Sequence, residues 1–97
     1  MSDITRAKNN KVVAEAYTDI TSECLALLLD RFRKYGANNI NITGMEGIVV
    51  RLADKWSRLH SNLHTDFNDE TVEDTLKDIS NYAIIGLMLL KNKWPSE

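Results

Sequence analysis

The amino-acid sequence predicts an all-α fold, a single domain over 1–97 built from three helices at about 11–34, 45–63 and 69–91. Short polar tails are expected at 1–10 and 92–97. Three observations predict it. Apolar residues recur at i, i+3, i+4 and i+7 in three segments, the spacing that gathers side chains on one face of a helix. No segment alternates apolar and polar residues with the period of a strand. Gly and Asn cluster between the periodic segments, where turns need them.

The first helix carries Val13, Tyr17, Ile20, Cys24, Leu27 and Leu28 on one stripe. "ALLLDRF" (26–32) is apolar around most of its circumference, which predicts contacts on more than one side. Gly36 is a natural stop, since it tolerates the left-handed conformation at helix ends. "YGANNINITG" (35–44) then reads as an ordered loop, which Ile40 and Ile42 would pin to the core. It is either a plain connector or a polar loop over a ligand, because side-chain amides both donate and accept.

The second helix is capped by Thr43 or Gly44. Its core face is Met45, Ile48, Val49, Leu52, Trp56, Leu59 and Leu63. "HSNLHTDFND" (60–69) breaks the pattern and offers Asp66 or Asn68 as the next N-cap. The third helix opens on Asp69, Glu70, Glu73 and Asp74, which suits the positive end of a helix dipole. Its expected core stripe is Val72, Leu76, Ile79, Ala83, Leu87 and Leu90, with Ile84 and Met88 well off it. A helix apolar on several sides must be buried on several sides. The C-terminal half of this helix is therefore expected in a subunit interface, with the three-helix unit assembling into a bundle oligomer.

Composition narrows the function. Ninety-seven residues, 43% hydrophobic and 27% charged, make a small globular domain with a modest core. The net charge of −2 argues against binding long nucleic acid through overall charge, so any anion site must be local. The one cysteine, Cys24, falls on an apolar face and reads as a buried small hydrophobe, which suits a reducing cytoplasm. The start of the chain is polar rather than leader-like. The longest apolar run, "YAIIGLMLL", has nine residues, well short of the roughly twenty that span a bilayer.

Charged residues then supply the candidate site. In "RLADKWSRL" (51–59), Arg51, Lys55 and Arg58 share one side of the helix, with Asn62 beyond them, while Leu52, Trp56 and Leu59 share another. On the third helix Asp74 and Asp78 stand i, i+4, with Asn81 one turn on. Paired carboxylates can hold Mg²⁺, which prefers oxygen ligands and keeps waters and phosphates in its shell. A cationic helix facing a carboxylate pair has the parts of a phosphate–metal site. The same parts also make interhelical salt bridges, Arg51 or Arg58 to Asp74 or Asp78. Glu46 and Asp54 are further carboxylates that could complete a metal set. His60 and His64 have the i, i+4 spacing of zinc-binding pairs, but no third ligand adjoins them. No glycine-rich phosphate loop and no serine nucleophile motif is present.

"KYG", "GMEGIVVRLADKWSRL" and "NDETVEDTLKDISNYAIIGLMLL" together resemble the nucleotide modification associated domain 1 family, small all-α proteins many of which bacteriophages encode. That family is similar in turn to the MazG-like NTP pyrophosphohydrolases. The resemblance covers roughly 33–90, and its most specific parts are "RLADKWSRL" and "EDTLKDISNYAIIG". It implies an oligomeric helical bundle with a nucleotide site lined by helices two and three.

In MazG-like enzymes a Glu-x-x-Glu on one helix and a Glu-x-x-Asp on the next bind Mg²⁺, which activates water for cleavage between the α- and β-phosphates. This chain departs from the pattern: Val49 follows Glu46 by three, and Thr75 precedes Asp78 by three. Glu46, Asp54, Asp74 and Asp78 are the residues left for a metal. The expectation drawn is a nucleotide-binding protein, phage-encoded and cytoplasmic. Its ligand residues would be Arg51, Lys55, Arg58, Asn62, Tyr35, Asn38, Asn39 and Asn81. It would sequester a nucleotide, including a cyclic signalling nucleotide of antiphage defence. The alternative is a Mg²⁺-dependent pyrophosphohydrolase or an accessory of nucleotide modification.

Overall fold

The computed structural model describes residues 2–63 and 70–97 and contains four helices in that span: α1 Asp3–Tyr35, α2 Asn38–Asn41, α3 Gly44–Ser61 and α4 Glu70–Leu90. The described residues contain no strand, and the all-α expectation holds. His64, Asp66, Asn68 and Asp69 lie outside the described residues.

α1 begins eight residues before the expected boundary, so the stretch read as a polar tail is helical. Its start is capped locally: the Ser2 hydroxyl accepts from the Thr5 N–H at 3.2 Å, and Asp3 sits in the first turn. Its end is the predicted one. Gly36 has φ +70° and donates its N–H to the Phe32 carbonyl at 2.8 Å, with Arg33 and Lys34 in the last turn. The loop reading of 35–44 is corrected in part. It holds the single-turn helix α2, pinned by the buried Ile40, whereas Ile42 is exposed.

α3 starts on a second left-handed glycine, Gly44 at φ +61°, with Thr43 at the cap position but making no side-chain capping bond. α4 ends in a Schellman arrangement around Asn92, at φ 55°. There the Lys93 N–H donates to the Met88 carbonyl at 2.7 Å and the Asn92 N–H to the Leu89 carbonyl at 3.2 Å. The C-terminal tail is also corrected: it folds back onto the domain. Trp94 meets Phe32 edge-on at 5.5 Å and donates its indole N–H to the Ala37 carbonyl, while the Asn41 amide donates to the Pro95 carbonyl.

α3 and α4 pack along each other, and the described polar contacts of α1 with α4 run from Glu23 to Arg31. The core is small: Ile40, Ile48 and Ile85, bordered by Leu28, Leu52, Tyr82, Leu89 and Trp94. Gly86 faces Ile48, where a Cβ would stand in ordinary contact with Ile48 Cγ2 at 3.4 Å.

The buried faces are rotated from those expected. On α3, Ile48 is buried and Leu52 and Leu59 are half-buried, but Trp56 is 61% exposed and stacks on His60 at 4.9 Å. Val49 is exposed as well. Arg51, Lys55 and Asn62 turn inward in their place, each only half-exposed. On α4 the buried residues are Val72, Thr75, Asp78, Asn81, Ile85 and Gly86, while Leu76, Ala83, Leu87 and Leu90 are exposed. On α1, Cys24 is buried, yet Val13, Tyr17 and Ile20 are exposed. The physical reason is pairing. Polar groups are far less costly to bury when their partners enter with them: the Thr75 hydroxyl donates to the Thr71 carbonyl, the Asn81 amide to the Cys24 carbonyl, and Asp78 meets two cations.

Candidate functional site

The inward turn of α3 and α4 opens a cavity of about 350 Å³, closed by the end of α1, by α2 and by Trp94. Asp78 lines it between Arg31 and Lys55. Its side chain is 8% exposed, and each of its oxygens is taken by a different helix: Oδ1 accepts from Arg31 Nη1 of α1 at 2.5 Å, and Oδ2 pairs with Lys55 Nζ of α3 at 2.9 Å. One carboxylate thus ties three helices together. Two cations around one anion leave a local surplus of positive charge. Arg31 keeps further N–H donors and Lys55 keeps ammonium protons beyond those used on Asp78.

Leu28, Ile40 and Ile85 form the apolar wall. Phe32, Tyr35, Tyr82 and Trp94 present rings, and Asn39 and Gly36 stand beside them. Asn81 lines the cavity too, with its amide nitrogen spent on the Cys24 carbonyl at 3.0 Å, which leaves its amide oxygen as acceptor.

Of the eight expected ligand residues, the cavity brings together Tyr35, Asn39, Lys55 and Asn81. Arg51 adjoins it as a brace. Its Nη2 donates to the Asn39 carbonyl at 2.8 Å and its guanidinium lies 5.7 Å from the Tyr82 ring centroid, while Nη1 is buried without a hydrogen-bond partner. The expected row of three cations is therefore not one surface. Arg58 is exposed and pairs with Asp54 at 3.4 Å. Asn62 caps the end of α3, donating its side-chain amide to the Arg58 carbonyl, and Asn38 is exposed at the start of α2. The expected salt bridges, Arg51 or Arg58 to Asp74 or Asp78, are replaced by Lys55 and Arg31 on Asp78.

Arg31 and Trp94 line the cavity without having been singled out from sequence. Arg31 follows Cys24 by seven residues and Leu28 by three, so it stands on the stripe already assigned to the core of α1. That spacing was a usable signal. Trp94 carried none, because it lies beyond the last periodic segment.

The metal candidates do not converge. Glu46 and Asp74 are exposed, Asp54 is held by Arg58, and both oxygens of Asp78 are occupied by cations. Among the described residues no group of three or more His, Cys, Asp or Glu side chains gathers at a point. The donor set around Asp78 does not suit Mg²⁺, which wants oxygen ligands free of competing cations. His60 is stacked on Trp56.

Two half-buried groups have shifted titrations. Hydrogen bonds from Arg33 and Lys34 hold the Asp30 carboxyl below its ordinary value, and a hydrogen bond to Glu73 raises Lys77. Both belong to helix surfaces rather than to the cavity lining. No helix among the described residues is long and apolar enough to cross a membrane. Comparisons of the chain with protein-family models, with curated proteins and with solved structures give no match.

Proposed function

We propose that this protein binds a nucleotide in the cavity between α1, α3 and α4, holding the phosphate on Arg31 and Lys55 and the base among the aromatic walls. The observation that carries the reading is the Arg31–Asp78–Lys55 cluster, in which a buried carboxylate fixes two cations whose remaining donors are free to take phosphate oxygens. Fixed cations lose little side-chain entropy on binding, and a planar guanidinium suits a phosphate bidentately. The volume of about 350 Å³ is at the lower end of small-ligand sites, which run to roughly 300–1,000 Å³, and suits one nucleotide unit. Tyr35 and Asn39 stand at the α1–α2 junction, where a second unit of a cyclic dinucleotide would extend.

The reading takes binding without turnover, supported by the four candidate carboxylates, none of which is placed with another as a metal pair. The family resemblance extends the reading to a phage-encoded protein that self-associates and sequesters a signalling nucleotide in the host cytoplasm. Calorimetry against nucleoside mono- and triphosphates and cyclic di- and trinucleotides, with and without Mg²⁺, tests it. Micromolar or tighter binding that is independent of metal, lost in Arg31→Gln and followed by recovery of intact ligand, is the expected result. Release of pyrophosphate or monophosphate supports the hydrolase alternative, and no binding by any of them ends the proposal.

A further inference from the structure

One polar group of the cavity lining has half of its bonding capacity unused. Asn81 follows Asp78 by one turn of α4 and precedes Ile85 by another, so it stands between the cation cluster and the apolar wall. It is 5% exposed. Its amide nitrogen donates to the Cys24 carbonyl of α1 at 3.0 Å. A carbonyl accepts and never donates, so this bond fixes the amide with its nitrogen towards α1. The opposite orientation would set two acceptors against each other. Among the described residues no donor meets the Asn81 Oδ1, yet that oxygen is not sealed from solvent as Arg51 Nη1 is. It opens to the cavity that Asn81 lines.

The other polar side chains of the lining do not share this property. Arg31 and Lys55 only donate, and both oxygens of Asp78 are engaged. The hydroxyls of Tyr35 and Tyr82 and the exposed Asn39 amide turn to suit either polarity. Asn81 Oδ1 is a fixed, unoccupied acceptor. Solvent satisfies such an atom while the cavity is open. A ligand that expels the water must donate to it or leave it unpaired.

We propose that Asn81 makes the cavity selective for nucleotides that place a hydrogen-bond donor beside the phosphate, over counterparts that place a carbonyl or nothing there. Two groups of a nucleotide supply that chemistry: an exocyclic amine of the base and the 2′-hydroxyl of the sugar. The inference rests on the nucleotide reading above and adds to it which nucleotides are held. A fully enclosed site built around a donor rejects the analogue lacking it by about 10⁴–10⁵. Arg31, 42% exposed, shows that this cavity stays in contact with water, so the preference here is smaller, at least about ten-fold.

Calorimetry of the full chain tests it with adenosine, 2′-deoxyadenosine and inosine, each as the 5′-monophosphate and as the cyclic dinucleotide. Inosine replaces the 6-amine by a carbonyl, and 2′-deoxyadenosine lacks only the hydroxyl. The adenosine forms are expected to bind more tightly than one of the two analogues. A weak inosine series identifies the amine as the donor, and a weak deoxy series identifies the hydroxyl. In Asn81→Leu, which keeps the volume and removes the acceptor, the preference is expected to disappear. Asn81→Ala is measured beside it, in case the leucine does not pack. The ratio of affinities is the readout, because loosening of the fold weakens all ligands together and leaves the ratio unchanged. Equal binding of the three series by the parent overturns the role of Asn81 while the nucleotide reading stands. So does a preference that survives in the variants. Binding of none of these ligands also overturns the inference, and the nucleotide reading falls with it only if the wider panel given above fails as well.

Discussion

Replacing Asp78 by alanine is the most informative single perturbation, because this one carboxylate of α4 holds both α1 and α3. The loss divides unequally between its two cations. Arg31 is 42% exposed and can return its guanidinium to water when the carboxylate goes. Lys55 is 18% exposed and keeps a largely desolvated ammonium with its counterion gone. Breaking a fully buried pair by removing one partner costs about 3–5 kcal/mol, whereas exposed pairs contribute about 0–1. With one buried and one screened arm, Asp78→Ala should cost roughly 2–3 kcal/mol. A domain of this size loses roughly 4–8 °C of Tm per kcal/mol, so the melt should fall by about 10–20 °C. Urea unfolding followed by circular dichroism measures the loss at fixed protein concentration. Lys55→Met keeps the stem and removes the charge, and Arg31 still satisfies Asp78, so that variant should cost about 1 kcal/mol. The double variant buries no unpaired ammonium and should be more stable than Asp78→Ala alone by at least about 1 kcal/mol. Additive losses, or an Asp78→Ala variant within about 0.5 kcal/mol of the parent, would refute the assignment of this carboxylate as the tie between helices.

Other outcomes separate the expected cationic row into its parts. Arg51→Ala removes the bond to the Asn39 carbonyl and the contact with the Tyr82 ring. It should cost about 1–2 kcal/mol in the same urea assay. Arg58→Ala, which loses only an exposed pair at 3.4 Å, should stay within about 0.5 kcal/mol. Equal losses would mean that the two arginines do the same job. Gly47→Ala should destabilise by about 1–3 kcal/mol, because the new Cβ would stand 2.6 Å from Thr43 Cβ, which no side-chain rotation relieves; an unchanged urea midpoint would contradict that contact. Asp30 should titrate below 3.8 in a carboxyl NMR experiment, moving upward in Arg33→Gln. Its folded value lies below its unfolded one, so its contribution is complete above the ordinary carboxylate range and fades as pH falls through the folded value. A midpoint at or above 3.8 would dissolve the Arg33 and Lys34 pairing.

Half of the candidate site was legible before any coordinates. Lys55 and Asn81 stood out because residue type and helical spacing placed them beside the apolar stripes, and Tyr35 and Asn39 because they stand in the polar stretch 35–44 that reads as a loop over a ligand. Asp78 was visible as a carboxylate inside an apolar segment, but as one of a pair with Asp74, which the structure leaves in solvent. What could not be read was which cation meets which anion. Arg51, Lys55 and Arg58 look equivalent on a helical wheel, yet one braces a backbone carbonyl, one enters the cavity and one pairs with its own helix.

The sequence by itself determined that the chain is helical, where its glycines stop or start a helix, and that its apolar surface exceeds what three short helices can bury. These are local consequences of periodicity, capping and backbone conformation, and they need no knowledge of distant residues. The tertiary structure alone decided which face of each helix turns inward. Periodicity ranks faces by hydrophobicity, which selected Trp56, Leu76 and Leu87 for the core. The fold instead buries Asp78 and Asn81, because partners from other helices offset their desolvation cost, and Thr75, whose hydroxyl bonds the Thr71 carbonyl of its own helix. The offset from other helices is a property of pairs far apart in the chain, Arg31 with Asp78 and Cys24 with Asn81, and no single helix encodes it.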